Sequence, residues 1–188
     1  MKKRIRIASP EWCIWRWIWR TGALIILCLL EASATTVVKL ELPALVRQAE
    51  SIVQGQVEQV YVQWDARRRL AFTYASVRVE DPMKGERRRS VLVRHIGGQI
   101  GAMSLHVSGM PKFAAGDRVI LFLKTQQDGT FQVLGLNQGK YSIANGYAIS
   151  NLSGLDLVDP KTGTMVEAGV VAQMPLTEFK AKIMELLR

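Results

Sequence analysis

The two histidines of the chain, His95 and His106, are the first candidates for metal or acid–base chemistry. A zinc site needs three or four nitrogen, sulfur or oxygen ligands, and neither histidine has a second ligand at helical or hairpin spacing. No serine lies in a G-x-S-x-G motif, which positions the nucleophile of many hydrolases. The adjacent carboxylates Glu80 and Asp81 precede a proline, a pattern typical of solvated turns. The sequence therefore predicts no enzyme, no metal site and no bound cofactor.

Two arginine triplets could contact a polyanion: Arg67, Arg68, Arg69, Arg87, Arg88 and Arg89. A predicted strand separates them, and its length of roughly 36 Å at 3.3 Å per residue places the triplets at opposite ends of a sheet. A nucleic-acid groove needs continuous positive charge with stacking aromatic side chains, and we assign Trp64, Phe72 and Tyr74 to the core. We therefore expect solvated turns and no nucleic-acid partner. The functional alternative is contact with anionic lipid or polysaccharide.

A glycine-rich segment from Gly97 to Phe113 has no clear period, and four of its first thirteen residues are glycine. Loops of this length in a compact domain are usually functional or poorly ordered. A phosphate-binding loop would open into a helix and supply a lysine, whereas GGQIG continues into the β-like or irregular MSLHV. We predict a binding loop for another ligand, with these candidate residues: Gly97, Gly98, Gly101, His106, Gly109 and Phe113.

The elements before this segment are three predicted strands at 52–64, 70–80 and 90–96. The apolar residues of the first strand change parity, so we expect a β-bulge at 58–59 that absorbs one residue. The second strand shows a similar change between Phe72 and Tyr74 on one face and Val77 on the other. Pro82 cannot donate a ladder hydrogen bond, so this strand is expected to end before it. Long bent strands of this kind favour a sheet that closes into a barrel.

Further strands follow the glycine-rich segment. The continuous apolar run of 118–124 predicts a strand buried on both faces. Asp128-Gly129 and Asn145-Gly146 predict hairpin turns, and Gly135 marks a bulge or a close backbone approach.

Helices are predicted at both ends of this β-rich region. Pro43 begins a short helix, and 175–188 has the spacing of an amphipathic helix with Thr177 as its N-cap. We expect this C-terminal helix to plug or flank the barrel. The predicted fold class is mainly β: a small closed or partly open OB-like barrel with a short N-terminal helix and a C-terminal amphipathic helix.

The N-terminal segment 1–34 has the pattern of an export signal. A basic stretch precedes the apolar GALIILCLL, and Ala32-Ser33-Ala34 offers a cleavage site. An uncleaved anchor is the alternative, because the tryptophans of this segment suit a membrane interface. The segment carries six basic and two acidic residues, so its removal lowers the formal net charge from +9 to +5. It also contains both cysteines, so 35–188 is predicted to be a single domain without disulfides, in the periplasm or outside the cell.

The order of several short motifs is similar to that of a known group of proteins. The motifs are AESIVQGQV, VRVEDPMKGE, VRHIGG, GDRVILFL and GLNQGKY, within 45–143. The chain resembles uncharacterised exported bacterial proteins and, more distantly, the netrin-like module, the OB-type barrel of the tissue inhibitors of metalloproteinases. The resemblance implies a five-stranded barrel with helical additions. Inhibition in that family uses a disulfide-bonded N-terminal cysteine, which 35–188 does not contain.

These observations predict an exported, non-enzymatic binding module whose partner is an unknown protein or an envelope component. One alternative is a peptidase inhibitor or a peptidase-associated partner, as the resemblance implies. The other alternative is an envelope polyanion binder that uses the arginine turns. Membrane contact is expected only through the N-terminal segment, if that segment is uncleaved.

Overall fold

A computed structural model describes residues 36–67, 69–152, 155–160, 162–166 and 171–188. The predicted signal peptide at 1–34 and Arg68 lie outside the described residues. The strands are β1 Thr36–Val38, β2 Ser51–Trp64, β3 Ala71–Lys84, β4 Ser90–Ile96, β5 Gly98–Ile100, β6 Met103–Leu105, β7 Arg118–Thr125, β8 Phe131–Val133, β9 Lys140–Ala144, β10 Tyr147–Asn151, β11 Asp156–Val158, β12 Met165–Val166 and β13 Val171–Pro175. The helices are α1 Leu42–Gln48 and α2 Leu176–Leu186, and a 3-10 turn spans Leu136–Gly139.

Five strands close into a barrel. Their hydrogen-bonded order is β7-β2-β3-β4-β8, and β8 pairs back onto β7. The β4–β8 pair is parallel and meets at Val93 and Phe131, whereas the other pairs of the ring are antiparallel. Strands β9, β10 and β13 extend the sheet outward from β7. The predicted fold class, a mainly β, OB-like closed barrel with two helices, is confirmed.

The bend of β2 has the predicted cause. Val57 pairs with Val77 and Gln59 pairs with Ser76, so Glu58 is the extra residue of a β-bulge. The predicted change of parity within β3 is wrong, because Ala71, Thr73, Ala75 and Val77 (every second residue) are all buried. The additional irregularities occur near the far end of β3, where it pairs with the first residues of β2.

The sequence predicts that the second strand ends before Pro82, and this prediction is wrong because β3 continues past that residue. Pro82 pairs with Val53 next to a register shift, a position at which a missing N–H is tolerated. The β4 partner of β3 ends at its pairing with Arg78, so this part of β3 is free of β4 on one edge. The extension brings Lys84 to helix α1, where its Nζ donates hydrogen bonds to the carbonyl oxygens of Val46 and Arg47, at 2.7 and 3.2 Å.

The barrel interior is one apolar cluster, formed mainly by valines of β2, β3 and β4 with Leu121 and Leu123 of β7. Strand β7 is buried on both faces, as its sequence predicted. Its outward residues Ile120 and Phe122 join a second cluster under the two helices, which we call the helix core. Phe179 and Ile183 of α2 are fully buried there.

Helix α2 therefore flanks the barrel. The predicted N-cap at Thr177 is wrong, because the N-cap position is Pro175 and has no side-chain hydrogen bond. A polar contact also holds the helix to the sheet, since Lys180 Nζ lies 2.5 Å from Asp81 Oδ2. In the part of the chain that the structure describes, neither helix has the length and apolar character needed to cross a bilayer.

Turn chemistry is confirmed at the predicted hairpins. Ala144 pairs with Tyr147, and both Asn145 and Gly146 have positive φ, as a two-residue type I′ turn requires. Gly129 lies at the β7–β8 turn with φ +79°. Gly135 is a close approach, because a Cβ there would lie 2.8 Å from the side chain of Leu40.

Candidate ligand-binding site at the barrel mouth

At one end of the barrel, the hydrogen-bonded pairing of the strands does not continue around the full ring. Strand β7 pairs with β2 only as far as Gln56, whereas β3 pairs with β2 as far as Trp64. Strands β2, β3 and β4 therefore continue past the closed ring and form a curved wall. We call this end the barrel mouth. Its wall side chains are Val60, Val62, Thr73 and His95.

Residues 97–113 cover the barrel mouth, and we call them the cover segment. The sequence predicts a β-like or irregular conformation after the first glycines of this segment. The structure shows that part of it is β, because β5 and β6 form a short antiparallel hairpin. Gly101 occupies the first position of its two-residue turn with φ +59°, where L-residues are strained. The hairpin strand β5 lies against β2 and β3.

Two glycines fasten the cover segment to the wall. The Gly97 N–H donates to the Ala71 carbonyl at 2.8 Å, and the Gly97 carbonyl accepts from Thr73 Oγ1 at 2.7 Å. Gly98 lies so close to the wall that a Cβ there would be 2.6 Å from Val62 and 2.7 Å from Thr73. A larger residue at 98 would have to move the cover away from the barrel.

A cavity of about 540 Å³ lies between the wall and the cover segment, and we call it the mouth cavity. This volume is within the range of small-molecule sites, and barrel mouths are one of their usual locations. The apolar part of its lining comes from both sides: Val60, Val62, Leu105, Val107, Met110 and Phe113. The cavity also has polar lining residues, among them His95 and His106.

Two polar residues of the wall are at least partly buried in this lining, Thr73, which is buried, and His95, which is half-buried. The Nδ1 atom of His95 lies 3.1 Å from the carbonyl oxygen of Ile96. Its Nε2 is buried and has no hydrogen-bond partner among the described residues. Desolvation by burial lowers the pKa of His95 below its usual value of 6.5, so the ring is neutral at pH 7. The Phe113 ring lies 6.1 Å from the imidazole, centroid to centroid.

A second cavity of about 350 Å³ lies on the other side of the cover segment, against β9 and β10. His106, Val107, Met110 and Lys112 line both cavities. Lys140 Nζ lies 4.9 Å from the centroid of the Phe113 ring, and desolvation lowers the pKa of this lysine. The same cover residues thus lie between the two cavities, and Lys140 lines only the second of them.

The predicted loop residues fall at three different places. Gly97, Gly98, His106 and Phe113 line the mouth cavity. Gly109 lines the second cavity. Gly101 lies at the hairpin turn, where a Cβ would have no atom within 4 Å apart from those of its chain neighbours.

The arginine triplets are not brought together. Arg67 and Arg69 lie in the β2–β3 turn, and the N–H of Arg69 donates to Asp65 Oδ1 at 2.5 Å. Arg87, Arg88 and Arg89 lie between β3 and β4, at the other end of β3. Arg88 forms an ion pair with Glu86 and lies over the Phe131 ring.

Sequence reasoning missed the role of His95 and misplaced two aromatic residues. Val91 and Val93 are buried in the barrel, and His95 shares their parity, which was the available signal. Phe72 and Tyr74 were assigned to the core, but they lie on the outer face and are half-buried. Tyr74 stacks on Tyr61 with ring centroids 5.1 Å apart.

Within the described ranges, no group of three or more His, Cys, Asp or Glu side chains is arranged to hold a metal ion. No family of known proteins matches the chain, and no curated protein matches it either. The resemblance to the netrin-like module therefore stays a prediction. The site has to be interpreted from its own geometry.

Proposed function

We propose that this protein is an exported, non-enzymatic binding module that holds a ligand in the mouth cavity. The observation that carries the proposal is the cavity itself, about 540 Å³ in volume, into which a rigid barrel wall and the cover segment both contribute side chains. Binding sites are commonly formed by loops on a rigid scaffold. Here the scaffold is the β2–β3–β4 wall, and the loop is the cover segment.

The packing of the site supports binding over a purely structural role. A purely structural cover would fill the barrel end with side chains, because protein interiors are close-packed. The cover segment instead approaches the wall through Gly97 and Gly98, which have no side chains. The cavity lies beside this close contact, and its lining includes Val60, Phe113 and His95.

A cavity-filling variant tests this proposal. Val60→Phe puts a larger side chain into the wall, and overpacking of this kind costs typically about 1–3 kcal/mol without changing a fold. The matched control is Val38→Phe, because Val38 is 53% exposed and does not line the cavity.

Full-length chains, purified as the expressing cells process them, would be incubated with an envelope extract and analysed by native mass spectrometry. We expect the wild type and Val38→Phe to retain a bound molecule and Val60→Phe to lose it. Equal retention by all three chains, or retention by none, would contradict the proposal.

The envelope polyanion binder is the second candidate. The exposed Arg87 and Arg89, at the end of β3, are the observation that favours it. Exposed charges are screened within about 8 Å at physiological ionic strength. Binding to heparin or to anionic vesicles should therefore disappear between low and moderate salt. A peptidase-associated role rests on the sequence resemblance alone.

A further inference from the structure

We infer that two copies of this chain associate through an unpaired edge of strand β2, antiparallel to each other and related by a two-fold axis at Tyr61. This inference goes beyond the proposed function, because it concerns the outer edge of the wall and not the mouth cavity. It rests on the unpaired backbone of β2, on the direction in which that backbone points and on the sequence of the edge.

Residues 58–64 of β2 have a strand partner on one side only, where they pair with β3. On the other side, β7 pairs with β2 as far as Gln56, and the last backbone hydrogen bonds join Val57 to Gly116 and Asp117. Beyond Val57, no backbone hydrogen bond between described residues is made on this side. We call this side of 58–64 the free edge.

A turn at the start of β7 takes the chain away from the free edge. The Ala114 N–H donates to Asp117 Oδ2 at 2.9 Å, and the Asp117 N–H donates to the Ala114 carbonyl at 3.1 Å. The cover segment then lies across the mouth, where the Phe113 ring is 6.1 Å from the ring of His95 on β4. Strand β4 is separated from the free edge by β3 and β2. This part of the cover therefore leaves the edge open.

The free edge presents the backbone groups of alternate residues. The Asp65 N–H donates to the Leu70 carbonyl at 2.8 Å, on the side of β3. Successive residues of a strand direct their N–H and C=O groups to opposite sides, so the odd-numbered residues of 59–63 also bond to β3. The backbone groups that point away from β3 are those of Glu58, Val60, Val62 and Trp64.

The sequence of the free edge is the same in both directions. Residues 59–63 are Gln-Val-Tyr-Val-Gln. An antiparallel pair centred on Tyr61 therefore places each residue opposite one of its own type. Because the backbone of Tyr61 bonds to β3, its pair across the axis is a non-hydrogen-bonded one, with Cα atoms about 4.5 Å apart. On each side of it, Val60 of one copy exchanges two hydrogen bonds with Val62 of the other.

The side chains at this edge also suit a second copy. Tyr61 stacks on Tyr74 with ring centroids 5.1 Å apart and ring planes 7° apart, so two copies would extend this stack across the axis. Glu58 already pairs with Arg78 of its own chain at 3.2 Å. Natural edge strands often avoid pairing by carrying lysine or proline, and 58–64 contains neither.

The oligomeric state of the wild type is the first test. A single strand pair buries less than the roughly 1,200 Å² of a stable interface, so we expect a dissociation constant in the micromolar range. Sedimentation equilibrium of the full-length chain, purified as the expressing cells process it, should show a monomer–dimer equilibrium. A wild type that stays monomeric at millimolar concentration would overturn the inference, in favour of an edge that pairs with another protein or with none.

Two matched variants assign the dimer to the free edge. Tyr61→Lys and Tyr74→Lys remove the same ring stack and add the same charge. The two copies of position 61 face each other across the axis, whereas those of position 74 are about 14 Å apart, three strand spacings, and beyond the screening length of about 8 Å. We expect Tyr61→Lys to weaken dimerisation about tenfold and Tyr74→Lys to weaken it by less than about threefold. Equal effects of the two variants, or none from Tyr61→Lys, would overturn the inference in favour of another contact.

Introduced cysteines test the register. Cys13→Ser and Cys28→Ser would first remove the natural thiols. Across the proposed axis, Tyr61→Cys brings two thiols within the Cα separation of about 4.4–6.8 Å that a disulfide requires. In Gln59→Cys the two Cα atoms are about 13 Å apart along the strands. Mild oxidation should therefore give a disulfide-linked dimer of Tyr61→Cys alone, and equal crosslinking of both variants would contradict the two-fold axis at Tyr61.

Discussion

The helix core and the mouth cavity lie at two parts of the same small barrel that are covered in different ways. In the helix core, Phe122, Tyr141 and Phe179 pack with ring centroids 4.4 to 6.5 Å apart, and Ile183 is completely buried. At the barrel mouth, the cover approaches through glycine backbone and leaves a cavity of about 540 Å³. Side chains from a helix can interdigitate with a sheet, whereas glycine backbone brings a chain close without filling the space beside it. The comparison leads us to expect that the helix core contributes most to stability, and it supports the proposal that the mouth cavity is the binding site.

The largest expected effect is on the helix core. Phe179→Ala removes a ring that is 3% exposed, and such a change typically costs about 3–5 kcal/mol. The free energy of unfolding would be measured by urea denaturation. Met184→Ala is the control, because Met184 on the same helix is 48% exposed and should change stability by less than about 0.5 kcal/mol. Similar losses of unfolding free energy for both variants would contradict the burial of Phe179 in a packed core.

The titration of Tyr141 reports on the same core. Burial raises the pKa of its phenol to about 12. A raised pKa in the folded state means that the stabilisation is complete below the unfolded value of about 10 and is lost as the pH rises towards 12. This rise of about two units in the pKa corresponds to about 3 kcal/mol of unfolding free energy. Absorbance at 295 nm would follow the phenolate, and Tyr141→Phe should remove the corresponding loss of stability. Ionisation near pH 10 in the folded protein would contradict the burial of this ring.

The fit of the cover is tested by Gly98→Ala. Gly98 has φ +137°, and a Cβ would lie 2.6 Å from Val62, so we expect a cost of about 2 kcal/mol from strain and displacement. Gly101→Ala is the matched control, since its φ is also positive but no atom lies near its Cβ position. It should cost about 1 kcal/mol, and only Gly98→Ala should change ligand affinity. A larger loss of unfolding free energy for Gly101→Ala than for Gly98→Ala would contradict the close contact between Gly98 and the wall.

The smallest effect is the response of the mouth to acid. The folded-state pKa of His95 is lowered by burial, so the neutral ring stabilises the fold fully above the unfolded value of about 6.5. That contribution is lost as the pH falls from about 6.5 through the lowered pKa. Urea midpoints at pH 7.5 and pH 5 should therefore differ less in His95→Phe than in the wild type, and His106→Gln should resemble the wild type. An unchanged pH response in His95→Phe would show that the ring is solvated.

Local patterns were enough to predict most elements of the fold. The bulge at Glu58, the type I′ turn at Asn145-Gly146 and the doubly buried strand β7 all follow from interactions over a few residues. The errors have a common cause. Pro82 stays within β3, and Phe72 faces outward, because pairing with β2 determines their positions and overrides local preference.

The sequence alone was sufficient for the fold class, because strand alternation and turn chemistry are local properties. Its glycine content also marks the segment 97–113 as a candidate site, and that role stays a prediction. The mouth cavity was decided only by the tertiary structure. Its wall and cover come from positions as far apart as Val60 and Phe113. The surroundings of His95 Nε2, which has no hydrogen-bond partner among the described residues, depend on one backbone carbonyl and on burial by residues distant in the chain. No local pattern can specify that environment, because closure of the barrel creates it.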